Sequence, residues 1–291
     1  MIYPVELNTE GPIYMGSSRN IKNCDIAIFG VPYDGTTSFN PGTRFGPNAI
    51  RLVSNSIETY CPHLEIDLED LKYADIGSLN IPHKGPEEII HLVESLSSFI
   101  GESNIKPLML GGEHSITIGS IKALSKIYND LIIVHLDAHA DMRNEWLGSN
   151  YNHACTIRRC LEEIESKIIL QLGIRSGTKT EFEAMNNLIE FDSGQSAKKL
   201  DEKLKKLNRK NIYLTIDVDW FDPSVIPGTG TPEPGGYYWK DFISVIKVLQ
   251  QYNIIGADIV ELSPKIDSTE ISSIFSAKIT RSLISLLSIT L

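Results

Sequence analysis

Asp137, His139 and Asp141 stand at i, i+2 and i+4 in the segment Asp-Ala-His-Ala-Asp. In extended chain, alternate side chains share one face, so this spacing predicts that all three point the same way. Asp217 and Asp219 repeat the two-residue spacing in Thr-Ile-Asp-Val-Asp, residues 215–219. His114 closes Gly-Gly-Glu-His at 111–114, and Glu261 closes Asp-Ile-Val-Glu at 258–261. Burying several carboxylates side by side is costly unless cations neutralise them. The candidate metal ligands are His114, Asp137, His139, Asp141, Asp217 and Asp219, four carboxylates and two imidazoles whose charge two divalent ions balance. A structural zinc would need only four ligands, usually with thiolates. Carboxylate-rich ligation with some imidazole favours two Mn2+ ions, with Zn2+, Co2+ or Fe2+ as alternatives. A lone Asp-x-Asp is often a turn or a cap; the combination of motifs is what argues for metal.

Each motif directly follows a run of apolar residues that reads as a strand. Candidate strands lie at 25–29, 72–76, 107–110, 131–136, 167–172, 188–191, 211–216 and 254–260. Near-continuous Val/Ile/Leu runs are expected of parallel strands buried on both faces. Helical patterns lie between them at 87–100, 116–128, 200–207 and 240–252, and a final amphipathic helix is expected from 274 to 291. This alternation predicts one parallel α/β sheet covered by helices. Ligand crevices of such sheets form at the carboxyl ends of the strands, where the four motifs sit. The Gly/Pro-rich segments 40–51, which leads into a helix, and 227–236 read as loops over the sheet edge, and neither carries a phosphate-binding lysine motif. No repeat or linker-like segment divides the chain, so residues 1–291 are expected to form a single domain.

The bulk properties narrow the function classes. The 291 residues are 42% hydrophobic and 22% charged, with a formal net charge of −10. An acidic chain is a poor nucleic-acid partner, because phosphate contacts need clustered Lys and Arg. The same acidity mildly attracts a small cation. Four cysteines without a CxxC pair do not make a disulfide framework and fit a reducing compartment. The N-terminus lacks a signal-peptide pattern and no uncharged apolar run reaches membrane-spanning length. The expectation is a cytoplasmic protein without nucleic-acid or membrane partners.

At these residues the sequence resembles the ureohydrolase family: arginases, agmatinases, guanidinobutyrases and formimidoglutamases. The resemblance runs from Gly-Thr-Arg-Phe-Gly-Pro at 42–47 to Glu261. Its most specific part reads Thr-Ile-Asp-Val-Asp, then Pro223, Pro227-Gly228 and Gly236 at the family's spacing. The stretch 137–153, with Arg-Asn-Glu at 143–145, Gly148 and His153, looks most like agmatinases, as does Gly-Gly-Glu-His. Asn144, Ser149, Asn150 and Asn152 keep arginase open, since arginases grip the amino-acid carboxylate with Asn and Ser here.

The resemblance implies a three-layer α/β/α sandwich with a mainly parallel eight-stranded sheet. It also implies assembly as a homo-oligomer, a trimer or hexamer. It assigns His114 and Asp141 to one manganese ion, His139 and Asp219 to the other, and Asp137 and Asp217 to both. The expected reaction is hydrolysis of a small guanidinium substrate, agmatine above all, to putrescine and urea. Two such ions acidify water and supply a nucleophile near neutral pH. Glu261 would pair with the guanidinium, Asp141 would pass a proton to the leaving amine, and His153 would shuttle protons at its ordinary imidazole pKa. Cys155 invites a thiolate mechanism, but a metal site makes one unnecessary. Rival readings are another ureohydrolase activity, a single-zinc amide hydrolase on the same fold, and a non-catalytic guanidine or polyamine sensor. Substrate assay, metal stoichiometry and turnover, respectively, separate them.

Overall fold

The computed structural model describes residues 2–185, 188–189, 196–207 and 211–289. The strands are β1 (Leu7–Asn8), β2 (Ile26–Val31), β3 (Tyr60–Cys61), β4 (Ile66–Asp67), β5 (Tyr73–Leu79) and β6 (Lys106–Gly111), followed by β7 (Ile132–Leu136), β8 (Ile169–Leu172), β9 (Leu188–Ile189), β10 (Asn211–Asp217) and β11 (Asn253–Val260). The helices are α1 (Gly46–Ser54), α2 (Pro86–Glu102), α3 (Thr117–Leu124), α4 (Thr156–Glu163), α5 (Lys179–Ala184), α6 (Ser196–Leu207), α7 (Trp239–Leu249) and α8 (Ile271–Ile289). Among the described residues, nine strands form the main sheet in the order β1-β5-β2-β6-β11-β10-β7-β8-β9. Eight of them are parallel; the two-residue β1 adds an antiparallel edge on β5. Strands β3 and β4 pair separately.

All eight expected strands are present, and of the run 188–191 the last two residues lie outside those described. Alternation along each strand divides the core between the two faces of the sheet. Ile132, Val134 and Leu136 of β7 pack in one cluster with side chains of α1, α6, α7 and α8, whereas Ile133 packs with α3 and α4. Ile26 and Ile28 of β2 join the first cluster, and Ala27 and Phe29 join one built on α2. The fold is therefore an α/β/α sandwich.

Two expectations need correction. The final helix is buried on most sides rather than amphipathic, with Ser272, Ser273, Ser276, Thr280 and Ser285 all in the interior. Several of its hydroxyls have partners close by in the chain: Thr280 donates to the Ser276 carbonyl at 2.9 Å, Ser285 to that of Arg281 at 3.0 Å and Ser272 to Asp267 Oδ2 at 2.7 Å, whereas Ser276 Oγ has no partner among the described residues. Bonds back to the preceding turn let most polar residues line a buried helix. Helices α4 and α5 also lie where the sequence reading placed none; both are short, α4 with eight residues and α5 with six.

Strand register brings the motifs together. Ile259 of β11 pairs with Leu110 of β6, Ile216 of β10 with Leu136 of β7, and Asp217 with Val260. The carboxyl ends of these four neighbouring strands are therefore level, and the residues that follow them share one edge of the sheet. Gly112 shows how tight that edge is. A Cβ there would stand 2.1 Å from the Tyr33 carbonyl oxygen and 2.6 Å from that of Val31.

Candidate metal centre and cleft

Strand β7 ends at Leu136, yet pairing continues beyond it: His139 bridges Ser176 in parallel, with the Ser176 N–H on the Ala138 carbonyl at 2.9 Å and the Ala140 N–H on the Ser176 carbonyl at 3.0 Å. The chain therefore stays extended past Asp137 and His139, as their spacing suggests, and leaves that geometry only at Asp141, with a φ of 51°. Asp137 Oδ1 accepts the backbone N–H of His139 at 2.6 Å. On the next strand Asp217 Oδ1 accepts that of Asp219 at 2.8 Å, where the chain enters a single 3-10 turn. The same side-chain-to-backbone bond at both strand ends ties residue i+2 to residue i. The Asp141 carbonyl is anchored by the N–H groups of Ile157 and Arg158 in the first turn of α4, at 3.0 and 3.2 Å.

The six expected ligands meet in two overlapping groups. His114 Nδ1 lies 3.1 Å from Asp137 Oδ2, 3.4 Å from Asp141 Oδ2 and 3.5 Å from Asp217 Oδ2. His139 Nδ1 lies 2.9 Å from Asp219 Oδ2 and 3.6 Å from Asp137 Oδ1. Asp137 belongs to both groups. All four aspartates and His114 are buried.

The residues present fit cations, and His114 shows it best. Its Nδ1 is buried, has no hydrogen-bond partner, and faces three carboxylate oxygens. Its other nitrogen, Nε2, is 2.8 Å from Thr215 Oγ1, whose hydroxyl donates to Asp258 Oδ1 at 2.6 Å. With its one proton committed to Asp258, Thr215 must accept from His114 Nε2–H, which leaves the Nδ1 lone pair pointing at the acids. A bare nitrogen and three carboxylates around one point are a hard-cation donor set.

Electrostatics of the chain alone lead the same way. Burial opposes charge on His114, but the facing Asp137, Asp141 and Asp217 outweigh it and hold the imidazolium well above its ordinary pKa. Burial likewise opposes charge on His139, and Asp219 and Asp137 raise it to about 12. Burial and then Asp219 push Asp217 well up. The pocket thus favours positive charge at the points where ions fit.

His135, given no role from sequence, is buried beside this cluster. Its Nε2 is 2.8 Å from Asp137 Oδ2, and the Gln171 amide lies 3.3 Å from its Nδ1. Gln171 therefore sets the tautomer in which His135 donates to Asp137 and steers that carboxylate. Its only sequence signal is its place two residues before Asp137.

The cluster forms the floor of a cleft of about 270 Å³. Glu261 stands beside it, with a φ of 65° and its backbone N–H on the Gly112 carbonyl at 2.8 Å. Its Oε1 accepts the His114 N–H at 2.7 Å. Burial, then the nearby Glu113, push its pKa well up. His153 also lines the cleft, half-buried, with Ser38 Oγ 3.2 Å from Nε2. Burial, then the cationic His139 and His114, lower its pKa to about 4. That departs from the ordinary imidazole value expected from sequence, and leaves His153 neutral at pH 7. Arg143, Trp146 and Glu181 line the mouth, with the Arg143 guanidinium 3.8 Å over the Trp146 ring and its Nε 3.6 Å from Glu181 Oε2. Glu181 stands at the capping-box spacing from Thr178, a signal of helix start rather than of a site, and caps α5 by accepting the Thr178 N–H at 2.8 Å. Cys155 is buried, and burial raises its thiol pKa to about 11, as expected of a structural cysteine. Among the described residues no helix is long and apolar enough to cross a membrane.

Comparison with known proteins places these features in context. The profile described as the Arginase family matches residues 24–285. The agmatinase of Halalkalibacterium halodurans is 37% identical over 277 residues, covering 94% of this chain and 96% of that protein. The agmatinase of Bacillus subtilis is 36% identical over the same length and the same shares. The crystal structure of the agmatine ureohydrolase of Thermoplasma volcanium superimposes with a TM-score of 0.82 at 32% identity, covering 91% of this chain and 90% of that one.

Proposed function

The chain belongs to the arginase family, and we propose that it hydrolyses agmatine to putrescine and urea with two manganese ions in the His/Asp cluster. The observation that carries this reading is the sharing of Asp137 by two His/Asp groups on the floor of one cleft. The likeness to agmatinases along almost the whole chain supports agmatine as the substrate.

His114, Asp141 and Asp219 with His139 would hold one ion or the other, with Asp137 and Asp217 between them. Two such ions, when bound, make water acidic enough to supply a nucleophile near neutral pH. The remaining work belongs to the chain. Glu261 Oε1 is occupied by the His114 N–H, and among the described residues no donor bonds Oε2. Oε2 is therefore free to accept from the guanidinium and hold its carbon over the cluster. Asp141, at the cleft floor, takes the proton of the attacking hydroxyl and passes it to the alkyl nitrogen as the bond from that nitrogen to carbon breaks, which frees urea and the amine. His153, with Ser38 at its ring, carries the proton set free when water becomes the nucleophile to the departing amine, which leaves as the ammonium, so that no net proton is released.

Chelation supplies a readout that does not depend on turnover. If each ion is held at about a hundred times its Kd, removing both costs about 5.4 kcal/mol, about 2.7 for each, and lowers the melting temperature by roughly 9 °C. A melting curve that is unchanged by a chelator and by added Mn2+ would count against a metal centre.

The test of function is urea release by the manganese-loaded protein. Agmatine is expected to be cleaved with a kcat/KM at least about a hundredfold above that for arginine, whose carboxylate must be placed in a cleft suited to an aminoalkyl tail without one. One observation favours a second reading. Arg143 at the mouth carries a guanidinium with no hydrogen bond among the described residues, which would suit a carboxylate-tailed substrate such as 4-guanidinobutyrate. Glu181 beside it offsets that charge and favours the first reading. Faster hydrolysis of 4-guanidinobutyrate than of agmatine would reverse the choice, and formamide in place of urea would point to a formimino substrate.

A further inference from the structure

The reaction proposed above does not use Glu113, a buried acid next to an expected metal ligand. Glu113 precedes His114 and is fully buried, yet it stands outside both His/Asp groups. Its oxygens face the other way, towards the segment that follows β2. Oε2 accepts the backbone N–H of Thr36 at 2.6 Å. Oε1 accepts the hydroxyls of Thr36 and Ser115, each at 2.5 Å. A hydroxyl has one proton to give. Having given it to Glu113, Thr36 Oγ1 can only accept on its other side, and there it receives the backbone N–H of His153 at 3.1 Å, across 117 residues of chain.

Two more contacts tie the same pair of segments. Asn152 Nδ2 donates to the Thr36 carbonyl at 3.4 Å, and Ser38 Oγ meets the ring of His153. His153 is thus held at its backbone by Thr36 and at its imidazole by Ser38. Both belong to one short strap, and the strap is pinned by Glu113. A fully buried carboxylate that only filled space would be a poor choice, since an apolar side chain would fill it without the cost of desolvation. The next residue completes the pattern, because the His114 N–H holds Glu261. The Glu113–His114 dipeptide therefore positions both Glu261 and, through Thr36, His153, the two expected site residues that are not metal ligands.

We propose that Glu113 and Thr36 are positioning residues that fix the His153 imidazole over the cleft, so that proton movement by His153 depends on a carboxylate touching neither substrate nor metal. The proposal rests on the reading of His153 as a proton carrier.

Thr36→Val keeps the shape of the side chain and removes the link. It is expected to lower kcat by about tenfold to a hundredfold on the best guanidino substrate, less than the roughly hundredfold to ten-thousandfold contributed by a positioned acid–base group, because the imidazole is displaced rather than removed. KM should stay within about twofold and bound metal unchanged, while Thr36→Ser restores the rate. In the His153→Ala background Thr36→Val should cost nothing further, because residues acting through one another are not additive. Ser38→Ala, at a site that does not threaten folding, should behave likewise with a smaller loss. Equal losses from Thr36→Val or Ser38→Ala in the presence and absence of His153 would overturn the proposal. So would a wild-type kcat in Thr36→Val.

Amide exchange at His153 separates this idea from the proposed activity, since it needs no substrate. Loss of the Thr36 acceptor should speed it by about tenfold or more. If the wild-type chain cleaves no guanidino compound, the activity assignment fails; accelerated exchange then still supports the clamp, and unchanged exchange overturns it.

Discussion

Asparagine in place of Asp137 is expected to leave the chain with one bound metal ion or none and to lower kcat by about a thousandfold or more, roughly 4 kcal/mol of transition-state stabilisation. Asp137 is the residue common to both His/Asp groups, with Oδ2 facing His114 and Oδ1 facing His139. Asparagine has the same shape, but only one of its two terminal atoms can accept. The backbone N–H of His139 holds Oδ1, so the amide nitrogen would fall at Oδ2. There it would meet the proton of His135 Nε2, donor against donor, and could not ligate a cation. Asp219→Asn gives the contrast, since Asp219 belongs to the His139 group alone. It should lose metal from that side and keep the ion facing His114. Metal analysis of purified protein, paired with urea release at saturating Mn2+, reads both variants. An Asp137→Asn protein with two tightly held ions and full rate would remove the basis of the proposed function.

Asp137 also shows how far sequence reaches. That it lies in a metal-site cluster could be read from residue types, because so many acids cannot share a strand-end edge without cations. The eight parallel strands could be read because buried parallel strands are runs of apolar residues. How the acids converge could be read only in part. The extended geometry inferred from the spacing holds as far as Ala140, where the chain still pairs with Ser176, but the left-handed Asp141 that ends it could not be read. A spacing of i, i+2 and i+4 does not say where the extended segment stops. The supporting residues were hidden for a different reason. Thr36 serves His153, and Asp258 serves His114 through Thr215, across long stretches of chain. Nothing local marks a threonine or a buried acid for such duty. The pKa of His153 was out of reach for the same reason, since it is set by burial and by imidazoles remote in sequence.

Glutamine in place of Glu261 is expected to reduce kcat/KM for agmatine by about a thousandfold while both metal ions stay bound. Truncating one side of a buried, hydrogen-bonded charge pair typically costs about 2–5 kcal/mol, and each 1.4 kcal/mol is tenfold. Here the substitution removes no atom and leaves one function intact, because the carbonyl oxygen of glutamine can still accept the His114 N–H now taken by Oε1. That hydrogen bond fixes the orientation of the amide. Its NH2 group must then occupy the position of Oε2, which in the wild-type chain is free to receive the guanidinium. Donor would face donor, with the substrate's charge unpaired in a buried site. The loss should therefore fall on guanidinium compounds of every tail length alike, and differ from the effect of Arg143 or Glu181 substitutions at the mouth. A metal-replete Glu261→Gln protein that keeps its rate would mean the guanidinium is held elsewhere, and would move the search to the Thr231 and Ser176 side of the cleft.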